Sequence, residues 1–169
     1  MKKLLPVIIV LLMLLSACSS NAQEAGPKYK VKNGAFDCSP QELIDQINAV
    51  TNASDEFPQI GEWTGSNDEI EIKGSDLTMY LIEENEKLCS VIVYWKATNS
   101  NSTIITKAGI LTGMLSTMLL PDPDSIHEKI SSAISAGSDR FDATQGNISI
   151  HFDTSDIRGT NNFVIQISK

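Results

Sequence analysis

Leu88-Cys89-Ser90-Val91-Ile92-Val93-Tyr94-Trp95-Lys96 is the stretch that decides the fold. Successive residues of a β-strand face opposite sides of the sheet. One side would carry Cys89, Val91, Val93 and Trp95, and the other Leu88, Ser90, Ile92 and Tyr94. Both sides are largely apolar, which predicts a central strand that is covered on both faces.

Two shorter strands precede this one and complete a β-meander. Residues 69–72 alternate Glu with Ile, and a second strand runs from residue 77 to residue 82. The polar residues at 74–76 and 84–86 predict the turns between the strands.

Helical patterns flank the meander. Ser39-Pro40-Gln41-Glu42 combines an N-cap, a proline suited to the first helical position and a capping-box glutamate, so a helix should begin there and end near Asn52. Residues 103–120 are the most apolar part of the chain after residue 17, and they predict a buried helix. Within it, Gly109 and Gly113 favour close packing of a soluble helix on the sheet over dimerisation in a membrane.

The remaining elements complete the predicted domain. Pro121-Asp122-Pro123 ends the apolar helix and begins another, with Asp122 as its cap, that runs to Gly137. Residues 148–152 and 163–167 alternate as strands, and residues 140–144 are a candidate for a further strand. The order α-βββ-αα-ββ(β) predicts an α+β domain over residues 34–169, with an antiparallel sheet of five or six strands and three helices.

Cysteine usage indicates a disulfide. Apart from Cys18, treated below, the chain has only Cys38 and Cys89, 51 positions apart, which excludes a CxxC redox motif. In an exported chain the simplest expectation is a Cys38–Cys89 bridge, and the alternative is a pair of buried thiols.

The beginning of the chain has the three parts of a secretory signal. Met1-Lys2-Lys3 is positive, residues 4–15 form an apolar run broken only by Pro6, and small residues precede Cys18. A membrane-spanning helix needs about 20 apolar residues. The run has 12 residues, which is too short to span a bilayer comfortably.

Leu15-Ser16-Ala17-Cys18 resembles the lipobox of bacterial lipoproteins. The resemblance covers only the first 18 residues. It implies that residues 1–17 are a signal peptide, that Cys18 is acylated, and that Cys18 becomes the new N-terminus. Two or three acyl chains anchor a protein stably. The expected location is therefore the extracytoplasmic side of a bacterial membrane, either a Gram-positive surface or a Gram-negative outer membrane. Residues 18–33 would form a flexible tether.

Charge narrows the classes of partner. Without residues 1–17 the chain has 11 basic and 21 acidic residues, a net charge near −10 by 11 − 21. That balance argues against nucleic acid, which requires a basic surface. It also argues against electrostatic attraction to anionic lipid, so the acyl group would supply the membrane affinity.

The chain has no recognisable catalytic or metal-binding motif. His127 and His151 do not occur in an HExxH or similar spacing, and no GxSxG, SxxK or Walker sequence is present. The Asp153-Thr154-Ser155-Asp156 run lacks the ligand order of an EF-hand. We therefore expect no cofactor, no metal and no enzymatic activity.

Three functions remain open at this level. The leading hypothesis is a non-enzymatic interaction module for an envelope or extracellular protein. The second is a small-ligand binder, and the third is an envelope hydrolase. The aromatic residues that could line a ligand site are Trp63, Tyr80, Tyr94 and Trp95.

Overall fold

The computed structural model of the chain describes residues 26–51, 60–65, 69–72, 77–96, 102–136, 140–154 and 160–168. The predicted signal peptide, Cys18 and residues 19–25 of the predicted tether lie outside these ranges, as do the predicted turn at 74–76 and the predicted helix ends at Asn52 and Gly137.

The described strands form a short hairpin and a six-stranded antiparallel sheet, which confirms the predicted α+β class. The hairpin consists of β1 (Val31–Lys32) and β2 (Ala35–Phe36). The sheet contains β3 (Glu69–Ile72), β4 (Leu77–Glu84), β5 (Lys87–Lys96), β6 (Arg140–Gln145), β7 (Ile148–Asp153) and β8 (Thr160–Ile167). Its spatial order is β3-β4-β5-β8-β7-β6, so β5 and β8 lie at the centre.

Three helices are described: α1 (Pro40–Thr51), α2 (Ser102–Leu119) and α3 (Pro123–Ala136). The two predicted caps are confirmed. The Ser39 backbone N–H donates to Glu42 Oε2 (2.7 Å), and the Glu42 N–H donates to Ser39 Oγ (3.2 Å). At the start of α3, the Ser125 N–H donates to Asp122 Oδ1 (3.1 Å).

The core lies between the helices and one face of the sheet. Val91, Val93 and Trp95 of β5 belong to it, together with Leu43 of α1 and Leu111 of α2. Ile92 and Tyr94, on the opposite face of β5, are only half-buried and do not belong to the core. The prediction that β5 is covered on both faces is met in full only on the core face, because on the opposite face Ser90 is buried but Ile92 and Tyr94 are half-buried. Its second face is apolar without being covered by the described helices.

A β-bulge also overturns the predicted facing of the first residues of β5. Ile82 pairs with Ser90 and Glu83 with Leu88, so Cys89 is the extra residue. A bulge interrupts the two-residue alternation of side chains. As a result Leu88 is fully buried in the core, whereas Cys89 is half-buried and outside it.

The two cysteines are thiols in the structure, and the Cys38–Cys89 disulfide stays a prediction. The backbones of the two segments do meet, because the Leu88 N–H donates to the Cys38 carbonyl oxygen (3.0 Å). However, Cys38 is buried in the core, where burial raises the pKa of its thiol to about 12. Cys89, on the bulge, has its Sγ 3.7 Å from the Lys87 carbonyl oxygen.

The domain begins earlier than residue 34. Asn33 and Gly34 have φ values of 53° and 81° and form the two-residue turn between β1 and β2. Before the turn, the Tyr29 N–H donates to the Met118 carbonyl oxygen of α2 (2.9 Å), and the Tyr29 side chain packs against the core. The predicted boundary after residue 33 falls inside this turn and is wrong, because the last residues of the predicted tether are folded.

Candidate functional site

The face of the sheet opposite the core is the candidate site, and we call it the open face. It consists of the strand residues that alternate with the core residues of β4 to β8. Most of them are half-buried or exposed, and Ser90 alone is buried. They are Thr78, Tyr80, Ile82, Ser90, Ile92, Tyr94, Arg140, Asp142, Thr144, Ser149, His151, Asp153, Asn162, Val164 and Gln166.

The register of the strands places five of these residues in one row. Tyr80 pairs with Ile92, Ile92 with Val164, Val164 with His151, and His151 with Asp142. Neighbouring strands lie about 4.8 Å apart, so the row extends for about 19 Å across the sheet. It changes from aromatic and aliphatic at β4 and β5 to charged at β6.

The aromatic end of the open face is ordered by a ring contact. Tyr80 and Tyr94 lie diagonally across β4 and β5, with ring centroids 5.6 Å apart and planes at 90°. This edge-to-face geometry suits the quadrupoles of the two rings and holds both side chains in place. The open face therefore presents a preformed aromatic surface.

The other end of the row is a small charged cluster. His151 Nδ1 lies 2.6 Å from Asp142 Oδ1, and an Arg140 guanidinium nitrogen lies 3.6 Å from Asp142 Oδ2. The hydrogen bond from His151 is the main reason that the pKa of Asp142 is lowered, and Arg140 adds to the effect. Asp142 is largely exposed, so solvent screens its interactions with both residues.

This arrangement was not anticipated from the sequence, although the signal for it is present. Gly146, with φ of 62°, and Asn147 form a two-residue turn, and Gln145 pairs with Ile148. Counting back from that pair places Asp142 opposite His151. The candidate strand at 140–144 is present as β6. Its register relative to β7 is set by the length of the turn.

The Ser149 hydroxyl, on the same face of β7 as His151, is hydrogen-bonded to the Ser168 hydroxyl (2.5 Å). A nucleophilic serine contacts its general base. Within the described residues, the hydrogen bond of His151 is to Asp142 and not to Ser149.

The four aromatic residues proposed for a ligand site do not converge. Tyr80 and Tyr94 are on the open face, whereas Trp95 belongs to the core and Trp63 packs against it. The Trp95 indole N–H donates to the Asn161 side-chain oxygen (2.9 Å) in the amide orientation that also lets Asn161 donate to the Thr154 carbonyl (3.2 Å). Trp95 thus has a structural hydrogen bond.

Within the described ranges, no group of three His, Cys, Asp or Glu side chains could hold a metal ion. In the same residues, no helix is both long and apolar enough to cross a membrane.

Comparisons with protein-family models, with curated proteins and with solved structures find no match to this chain.

Proposed function

We propose that the chain is a lipid-anchored, extracytoplasmic interaction module that binds a protein partner on the open face without catalysing a reaction. The lipobox-like Leu15-Ser16-Ala17-Cys18 supports the anchor. The observation that carries the binding proposal is the preformed row from Tyr80 to Asp142 on a sheet face that the described helices leave uncovered.

The composition of the open face suits a protein partner. Tyrosine is enriched in protein interfaces because it combines a rigid apolar ring with a hydrogen-bonding hydroxyl. The charged cluster at Asp142 would lie at the rim, where it would set orientation more than affinity.

The size of the open face also suits a protein partner. The five strands β4 to β8, spaced about 4.8 Å apart and each with about six residues rising about 3.3 Å, cover roughly 480 Å². One side of a standard protein interface buries about 800 Å². The open face thus supplies most of one interface, with loops at its edges completing it.

The described start of the domain lies against the helices and not against the open face. Tyr29 is hydrogen-bonded to α2 through Met118 and to α1 through its hydroxyl, which donates to the Glu42 carbonyl (3.3 Å). The segment that leads back towards Cys18 therefore joins the domain on the helical side of the sheet. An anchor on that side would leave the open face directed towards other proteins.

Site-specific photo-crosslinking in the acylated, full-length protein tests the binding proposal. A crosslinking residue replaces Ile92 or Tyr94 on the open face, or Ala49 or Glu128 as exposed controls on the helices. We expect a discrete crosslinked protein from the first pair and none from the second. Equal products from both pairs, or none from the open face, would contradict the proposal.

The anchor is tested separately by intact mass and membrane fractionation of wild-type protein and a Cys18→Ser variant. We expect the wild-type mass to correspond to residues 18–169 plus acyl chains, and the variant to leave the membrane fraction. A Ser20→Ala variant should behave like wild type. A wild-type protein without lipid would refute the anchor but leave the open face to be judged by crosslinking.

A further inference from the structure

His127 occupies an unusual position between two helices. It follows Ile126, which is fully buried in the core, and its own ring is half-buried. The backbone of Gly113 on α2 lies beside the ring and favours its protonated form. One ring nitrogen, Nε2, is buried and has no hydrogen-bond partner among the described residues. A proton on Nδ1 leaves Nε2 as an unprotonated acceptor, whereas a proton on Nε2 would bury a donor that has no acceptor.

Gly113 is buried in α2, and its carbonyl accepts a hydrogen bond from the Thr117 hydroxyl (3.0 Å).

The surroundings of the ring favour the neutral form. Burial is the largest influence and lowers the pKa of His127, while Asp124 and the Gly113 carbonyl act in the opposite direction to a smaller extent. The charged groups of the elements packed against α3 are Lys107 on α2 and the Arg140–Asp142 pair on β6. Asp124, on α3 itself, is the charged group that acts on the pKa of the ring.

We propose that His127 is an acid-sensitive latch between α2 and α3. Protonation of Nε2 would place a charge and an N–H donor at a buried point that offers no acceptor. A buried, unpaired charge is costly, so the helices must separate enough to admit water. The six-stranded sheet, whose pairing does not involve His127, stays folded. This inference does not depend on the proposed function.

The direction of the pH dependence follows from the lowered pKa. Above about pH 6.5, the ordinary value for histidine, the ring is neutral in both the closed and the open forms, and the latch is fully effective. As the pH falls below that value, the open form takes up a proton before the closed form does, and the closed form loses stability. The loss ends once the pH passes below the pKa of the closed form.

His151 provides a matched control within the same chain. Its ring is 30 % exposed and bonded to the Asp142 carboxylate, a partner that tolerates a protonated imidazole. The two residues thus have the same imidazole side chain but differ in burial and in the group beside the ring. His127→Gln should remove the latch, whereas His151→Gln should leave it intact.

Hydrogen exchange from pH 7.5 to pH 5.0 on the full-length chain tests the latch, with rates converted to protection factors. In wild type and in His151→Gln, we expect protection in residues 111–132 to fall by up to about tenfold per pH unit below pH 6.5, as uptake of one proton requires. Protection in β5 and β8 should stay constant. His127→Gln should abolish the pH dependence in the helices.

A direct titration of His127 by NMR in the wild-type protein keeps the proposal testable if the glutamine variant does not fold. We expect a midpoint below about 6.5, the ordinary value for histidine. A midpoint for His127 at or above 6.5 would overturn the latch, as would an unchanged pH dependence in a folded His127→Gln variant.

Discussion

The two faces of the sheet are built from the same strands but differ in the burial of their side chains and in the role that we expect for them. On the central strand β8, Phe163 and Ile165 are fully buried against the helices, whereas Val164 between them is half-buried on the open face. Neighbouring residues thus have separate roles, because alternate side chains of a strand point to opposite sides. Stability should depend on the first face and partner recognition on the second.

The largest difference in the free energy of unfolding should be between alanine variants of Phe163 and Val164. Phe163→Ala removes a fully buried ring and leaves a cavity, so it should lower the free energy of unfolding by about 3–5 kcal/mol. Val164→Ala, one residue away, should cost less than about 1 kcal/mol because its side chain is only partly buried. Urea unfolding measures both. Similar losses from the two variants would show that the open face is covered by something in solution.

Asn161 and Asn162 give a second matched pair. Asn161 is buried and joins the Trp95 indole to the Thr154 carbonyl. Asn161→Ala would leave the buried indole N–H without its partner, at a cost of about 1–3 kcal/mol. Asn162 lies on the open side, and its Oδ1 has no hydrogen-bond partner to lose.

Asn162→Ala should therefore be close to neutral in urea unfolding, within about 0.5 kcal/mol. An equal loss in both asparagine variants would contradict the hydrogen-bond assignment at Trp95.

The core face was largely predictable from the sequence. Ile148, Ile150 and Phe152 alternate as a strand and are all buried, and Ser39 and Glu42 form the predicted capping box. These features depend on local chemistry and on a fixed period. Apolar residues at a regular spacing are a strong signal of burial, because a solvated face would not require that spacing.

The open face and the edges of the domain were less predictable, for reasons of register. The bulge at Cys89 reverses the expected facing of the first residues of β5. The pairing of Asp142 with His151 depends on a turn of two residues. A turn one residue longer would shift the register and place the two side chains on opposite faces of the sheet. The β1–β2 hairpin was signalled by Asn33-Gly34, but strands of two residues are too short to show alternation.

Tyr94 should separate stability from recognition. Tyr94→Ala removes one ring of the edge-to-face pair with Tyr80, which should lower the free energy of unfolding by only about 1 kcal/mol. Crosslinking from position 92 to the partner should nevertheless be lost or strongly reduced, because the aromatic surface is disrupted. Unchanged crosslinking in a folded Tyr94→Ala variant would move the binding surface away from the aromatic end.

The smallest expected effect is at the charged end of the row. It should change the pKa of Asp142 without changing the free energy of unfolding. In His151→Leu the carboxylate of Asp142 loses its main hydrogen bond, so the pKa of Asp142 should rise towards its ordinary value. Arg140→Gln should produce a smaller rise, because Arg140 contributes less than His151. The carboxyl chemical shift of Asp142 measures both. Unfolding free energies should be unchanged, because exposed ion pairs are screened by water. His127→Leu, on the helical side of the sheet, should leave the pKa of Asp142 unchanged. A change in that pKa would mean that the two faces are electrostatically coupled through the sheet.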